Sequence, residues 1–248
     1  MGRMVLGTAV LAVGIAGTAL SGCSVNVSTG GPPVVSKTDL EKDISGRLEK
    51  AGQKPQAVTC KDDLPGEVGK STRCEVTLST DNSFEPVVTV TKVDGSTVSY
   101  DMTPAVSKEQ LDKAVAHLLS EPSGPAVDSV NCESGLDGKQ GAEGHCEVTA
   151  AGVTLKRTVE VTKVDGLMMN FVVLPVLAKA QVENSLLDQL ATQLGQRPDS
   201  ADCSDNLEGK EGTTIDCTVV AGEQTQDFTL AVTKVDGDQI NFSYQPKA

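Results

Sequence analysis

Tryptophan is absent from the 248 residues, and only four phenylalanines and two tyrosines are present. Histidine occurs twice, and 21 basic residues face 34 acidic ones, for a net charge of −13. Each scarcity excludes something. A chain this acidic lacks the basic surface that nucleic acid and anionic lipid headgroups require, so no nucleic-acid partner is expected. Two histidines offer little for general-base or zinc chemistry. With so few aromatics, the cores must come mainly from Val, Leu and Ile, and such cores are thin in small domains, so covalent staples are expected.

Long apolar stretches are also scarce, and the notable one lies at the N-terminus. Arg3 is the only charge before Cys23. An apolar run from Val5 to Leu20 follows, interrupted by Gly7, Gly14 and Gly17, and it closes on Leu20-Ser21-Gly22-Cys23. A basic start, an apolar middle and a small-residue exit describe a secretory signal peptide over residues 1–22. The run is short for a transmembrane helix, and its glycines lower helix propensity. The last four residues resemble the bacterial lipobox. That resemblance implies cleavage before Cys23 and acylation of its thiol and new amino group, with palmitate-type chains. Several chains on one residue hold a protein to a bilayer where a single chain does not. The expected location is therefore the outer face of the cell membrane, lipid-anchored. Residues 23–32 carry no charge and end in Gly30-Gly31-Pro32, which reads as a flexible tether.

The rest of the chain repeats. Val-Thr-Lys-Val-Asp-Gly occurs at Val90–Gly95, Val161–Gly166 and Val232–Gly237, at an offset of 71 both times. The same offset links Pro33, Pro104 and Pro175, and it links Leu40, Ile44 and Leu48 to Leu111, Val115 and Leu119, then to Val182, Leu186 and Leu190. Three tandem domains follow, over residues 33–103, 104–174 and 175–248. Each opens with a helix whose i, i+4, i+8 positions form a buried stripe. Ser36 and Ser107 stand at N-cap positions, while Ala178 replaces the serine in the third copy. Gly52 and Gly195 end two helices and Pro122 the other. Strands follow, closing in a hairpin. Its alternating sets are Val88, Val90, Val98 and Tyr100; Val159, Val161, Met169 and Phe171; and Leu230, Val232, Ile240 and Phe242. They share one face if a three-residue loop, Val93-Asp94-Gly95, pairs Val90 with Val98 and leaves Gly95 with positive φ. The fold class expected is α+β: three tandem small domains, each one helix packed on a three- or four-stranded antiparallel sheet, with one disulfide.

Seven cysteines are present. One is Cys23. The other six fall as Cys60 and Cys74, Cys132 and Cys146, Cys203 and Cys217, with a separation of 14 in every copy. Of the many pairings that six cysteines allow, the repeat selects the three local ones. A structural metal site would show a different spacing, and a redox site would show Cys-x-x-Cys.

Little else suggests chemistry. His117 falls on the helix face opposite the stripe, and its counterparts are Gly46 and Asp188. His145 precedes Cys146, and its counterparts are Arg73 and Asp216. No catalytic residue is assigned, and neither a cofactor nor a metal is expected. Between the cysteines each copy carries Leu-x-Gly-x-x-Gly: Leu64, Gly66 and Gly69; Leu136, Gly138 and Gly141; Leu207, Gly209 and Gly212. A Gly-x-x-Gly loop can clamp nucleic-acid backbone. Among acidic neighbours it reads instead as turn geometry beneath a disulfide, with the leucine inward. Asp62, Asp63, Asp137, Asp205 and Glu208 crowd these loops without the alternation of a calcium loop. The most repeated polar set is Thr91 and Lys92, Thr162 and Lys163, Thr233 and Lys234. Asp94, Asp165 and Asp236 with their glycines build turns, but Thr and Lys on an outer face need less explanation from folding. A ligand surface shared by the copies would be sought there.

The lipobox, the paired cysteines around Leu-x-Gly-x-x-Gly, and the closing Val-Thr-Lys-Val-Asp-Gly hairpin together resemble an actinobacterial domain-of-unknown-function family, number 4333. The resemblance covers nearly all of residues 33–248 as three copies. It implies a cell-envelope lipoprotein or membrane-attached protein and brings no established activity. A non-enzymatic binding or scaffolding module is the function expected, with membrane contact through the lipid on Cys23 and an envelope protein as partner. The competing expectation is an envelope-modifying enzyme with a site private to one repeat. Replacing Cys23 with Ala should leave the chain unprocessed or release it from the membrane fraction. Unchanged size together with unchanged partition would remove the anchor.

Overall fold

The computed structural model describes residues 32–80, 82–120 and 126–247. The signal peptide, Cys23, the tether and Pro122 lie outside the described residues. Three helices on mostly antiparallel sheets build three tandem α+β units with one disulfide each.

The first unit runs β1 (Val34–Val35), α1 (Lys37–Lys50), β2 (Ala57–Cys60), β3 (Leu64–Pro65), β4 (Ser71–Ser79), β5 (Asn82–Phe84), β6 (Val87–Asp94) and β7 (Thr97–Thr103). The second runs β8 (Ala105–Val106), α2 (Lys108–Leu119), β9 (Val127–Cys132), β10 (Leu136–Asp137), β11 (Glu143–Ala150), β12 (Val153–Asp165) and β13 (Met168–Val173). The third runs β14 (Val176–Leu177), α3 (Lys179–Leu194), β15 (Ser200–Cys203), β16 (Leu207–Glu208), β17 (Thr214–Ala221), β18 (Gln224–Asp236) and β19 (Gln239–Pro246). The main sheets have the orders β2-β4-β6-β7, β9-β11-β12-β13 and β15-β17-β18-β19. A small ladder beside each joins its first strand to the loop between the cysteines. In the first unit the long third strand is broken into β5 and β6, and the break falls at Pro86, which has no N–H to give to the ladder.

The helices bury the stripe that the spacing predicts. Leu40, Ile44, Leu48, Leu111, Val115, Val182, Leu186 and Leu190 are buried, and Leu119 packs partly buried against the same core. Ser36 accepts from the Asp39 N–H, and Ser107 and Gln110 form a reciprocal capping box. Ala178 has no side-chain oxygen, so only half of the box survives: Gln181 accepts from the Ala178 N–H at 3.0 Å. Gly52 and Gly195 take left-handed φ values of +80° and +72° as the helices end.

The closing hairpin corrects the predicted register. Asp94 pairs with Thr97, so the loop is the two residues Gly95-Ser96, not Val93-Asp94-Gly95. Gly95 has φ +58° and Ser96 does not have positive φ, the pattern of a type II′ turn with glycine first. Val90 pairs with Tyr100 and Lys92 with Ser99, so the extra residue is Thr91, inside the strand. This bulge, rather than the loop, brings Val88, Val90, Val98 and Tyr100 to one face. Thr162 and Thr233 are the extra residues of the other two copies.

The loop between the cysteines is a clip built from its glycines. Gly66, Gly138 and Gly209 donate their N–H groups to the carbonyls of Pro33, Pro104 and Pro175, at 2.7 Å each. A Cβ on Gly66 would lie inside van der Waals contact with the Pro33 carbonyl oxygen. Gly69, Gly141 and Gly212 take φ of +86°, +78° and +86° and donate to the carbonyls of Val90, Val161 and Val232. The leucine before them is buried in every copy. One loop thus fastens the first strand to the hairpin strand.

Gly66→Ala should cost about 2–3 kcal/mol, because the methyl group must displace backbone. Gly46 lies in α1 with open space around its missing Cβ, so Gly46→Ala should stabilise by up to about 1 kcal/mol. Denaturant midpoints should move in opposite directions for the two variants; equal shifts would remove the close-approach account.

Candidate functional site

The disulfides connect residues directly opposite each other on neighbouring strands: Cys60 with Cys74, Cys132 with Cys146, and Cys203 with Cys217. All six cysteines are buried. Sequence reasoning missed what sits above them. The N–H of the first cysteine donates to a helix carboxylate in every copy: Cys60 to Glu41 at 2.9 Å, Cys132 to Asp112 at 2.6 Å, and Cys203 to Glu183 at 3.0 Å. The signal was present, since Glu41, Asp112 and Glu183 keep the offset of 71 and follow the first stripe residue. A carboxylate accepting from a part-buried backbone N–H makes a charge-assisted bond that tethers the helix to the cystine.

The Thr-Lys row has structural partners of its own. Thr162 and Thr233 donate their hydroxyls across the bulge to the carbonyls of Asn170 and Asn241, at 3.3 and 3.2 Å. Lys92, Lys163 and Lys234 pair with Asp94, Asp165 and Asp236 two residues on, at 3.3, 3.7 and 3.4 Å. These pairs are exposed and contribute little to stability. They nevertheless give the row a folding reason, so its repetition alone no longer points to a ligand.

His117 is exposed on α2. His145 is exposed too, and it adjoins a hydroxyl. Its Nδ1 lies 3.4 Å from Thr158 Oγ1. That hydroxyl donates to Glu208 at 2.6 Å, and Thr158 is 6% exposed. The proton therefore points to the carboxylate and not to the imidazole, which is the wrong arrangement for a base-activated nucleophile. Thr158 belongs to a joint between the second and third units. Lys210 completes that joint, reaching Glu143 at 2.5 Å and Glu160 at 3.0 Å. Hydrogen bonds to these two carboxylates raise the Lys210 pKa above the ordinary lysine value. A raised pKa in the folded state keeps this contribution through neutral pH and loses it only in strongly alkaline solution. Among the described residues no group of three or more His, Cys, Asp or Glu is placed to hold a metal ion. No helix among them is long and apolar enough to cross a membrane.

With cystine, glycine clip and bulged hairpin repeated three times, the comparison with known families is direct. The model of a domain of unknown function, DUF4333, matches residues 18–95, 97–166 and 167–237. The chain belongs to this family. The DUF4333 matches break at or next to the hairpin tips, so β7 and β13, which close their own sheets in space, fall in the next matched segment. No curated protein and no solved structure shows significant similarity to the chain.

Glu41→Ala should cost about 1–3 kcal/mol by leaving the Cys60 N–H without its acceptor. Lys92→Ala should stay within about 0.5 kcal/mol. Chemical denaturation measures both, and a Glu41 variant as mild as the Lys92 variant would mean that the tether is ornamental.

Proposed function

We propose that this DUF4333 protein is an exported lipoprotein, held to the outer face of the cell membrane through acylated Cys23, and that its repeats form a non-catalytic binding or scaffolding module for an envelope protein. The observation that carries the reading is the cysteine pairing. Six of the seven cysteines are joined within repeats, which leaves Cys23, at the end of the apolar run, as the odd one. Stable disulfides belong to exported compartments, and an unmatched cysteine at a lipobox-like exit has a use there.

The binding role rests on two further points. The repeated polar residues serve the fold, so no maintained set remains that resembles a nucleophile with its base. Tandem copies on one anchored chain raise effective concentration, which turns weak contacts into useful avidity. The charge of −13 favours a basic or neutral protein over an anionic wall polymer. The third unit carries 12 acidic residues against 5 basic ones over 175–248 and is the foremost contact. If the copies share one contact surface, it includes the exposed row of Lys92, Lys163 and Lys234 beside their threonines.

The third unit has a core cluster of its own, so residues 175–248 are the piece to compare with the whole chain. Envelope extract passed over both should show one protein retained more strongly by the whole chain. Equal retention would remove the avidity argument. Hydrolytic or transfer activity abolished by a point substitution that keeps the fold would overturn the non-catalytic reading.

A further inference from the structure

The three units differ at one end of the helix-facing sheet surface. In the third unit Phe228, opposite Cys217, meets Tyr244, opposite Leu230, edge to face at 5.9 Å. The corresponding positions of the second unit are Arg157, opposite Cys146, and Val173, opposite Val159. Two aromatic rings are thus replaced by a guanidinium and a valine, and a cavity of ≈ 460 Å³ stands there. Leu118, Leu119, Val148, Phe171 and Val173 line it with Arg157 and Asp238. Its size falls within the range of small-molecule sites, and its lining has their character, apolar with a few polar groups.

Arg157 is half-buried, and among the described residues its guanidinium has neither a hydrogen bond nor an ion pair within 4.0 Å. Burial pushes its pKa down, and Asp238, on the hairpin tip of the third unit, pulls it back from a distance. A partly desolvated cation facing an apolar cavity has lost hydration, and among the described residues only the more distant Asp238 offsets that loss. An anionic head would supply that partner, and a hydrocarbon chain would fill the space that the missing rings leave.

We propose that the cavity beside Arg157 binds a single-chain amphipathic anion of the fatty-acid class. The guanidinium takes the carboxylate in a charge-assisted, forked pair, and the chain lies along Leu118, Leu119, Val148 and Phe171. Asp238 repels the same head and sets a limit on affinity. The site is built on the second unit, with Asp238 of the third at its edge, and stands apart from the anchoring at Cys23.

The test is a methyl-resolved NMR titration of the chain carrying Cys23→Ser, with decanoate below its micelle concentration, with 1-decanol and with acetate. Decanoate should shift the methyl groups of Leu118, Leu119 and Val148 and bind about tenfold or more tightly than decanol, as one charge-assisted pair requires. Acetate should not bind. Arg157→Leu should reduce decanoate to the affinity of decanol and leave decanol unchanged. Asp238→Asn should strengthen decanoate binding. Val173→Tyr, which restores the ring of the third unit, should abolish both. Equal affinity for decanoate and decanol would overturn the proposal. So would the absence of decanoate binding, or shifts confined to other residues. Should Arg157→Leu fail to fold, the decanoate-to-decanol ratio of the parent chain and the Val173→Tyr variant still decide.

Discussion

A seventy-residue domain whose core is mostly valine and leucine holds a helix only weakly at a fixed height above a sheet, and the cystine at the centre of each unit supplies what is missing. Its two half-cystines face each other across adjacent strands, so one covalent bond sets the register of that pair. A slip by one residue would turn Val76, Val148 or Val219 from the core to the solvent. Closing a loop of about 15 residues removes on the order of 3 kcal/mol of chain entropy from the unfolded state, a large share of a small domain's net stability. The helix depends on the same point. Glu41, Asp112 and Glu183 accept the N–H of the first half-cystine, so the helix is tethered to the strand whose register the disulfide fixes.

The segment between the half-cystines then closes the rest. It adds a two-residue strand in each unit, and it works through backbone groups. The first glycine gives its N–H to the strand that enters the helix, and the second gives its N–H to the hairpin strand beside the bulge. Side chains would obstruct the first approach, and the second position needs positive φ. The bulge at Thr91, Thr162 or Thr233 follows from the same geometry, because the carbonyl that receives the second glycine belongs to the residue just before it. Cystine, clip and bulge therefore make one connected frame, with the hydrophobic stripe filling it.

Internal repetition made much of this legible. Three copies at offsets of 71 or 72 identify the stripe, the cysteine pairs and the inward leucine without reference to any other protein. The hairpin shows where pattern runs out. Alternation requires one residue of slack to bring Val90 and Val98 to the same face, but it does not say where the slack sits. A bulge in the loop and a bulge at Thr91 satisfy the same faces. Backbone pairing with Gly69, invisible to side-chain pattern, selects the second. Glu41, Asp112 and Glu183 were equally visible and equally mute, because an acid next to a buried stripe looks like ordinary solvated helix surface. The bond from Thr158 to Glu208 lay beyond reach for another reason. It joins two copies, and an offset within one chain carries no information about how its copies pack.

Repetition has a further consequence for where function can reside. A residue kept in all three copies is one that the shared frame uses, and the cysteines, glycines, helix carboxylates and bulge threonines each have a place in it. A function private to one copy is then to be sought among residues that the copies do not share. Arg157, Glu208 and Asp238 are of that kind. Each sits where the second and third units face each other or where one copy lacks the filling of another. Pro86, Arg157 and Phe228 occupy one position with three different outcomes: a broken strand, a cationic cavity and an aromatic plug. The frame tolerates all three because the cystine beside that position holds the register whatever its neighbour is. A staple that fixes the register frees the position opposite it to diverge, and in this chain that position has diverged three ways.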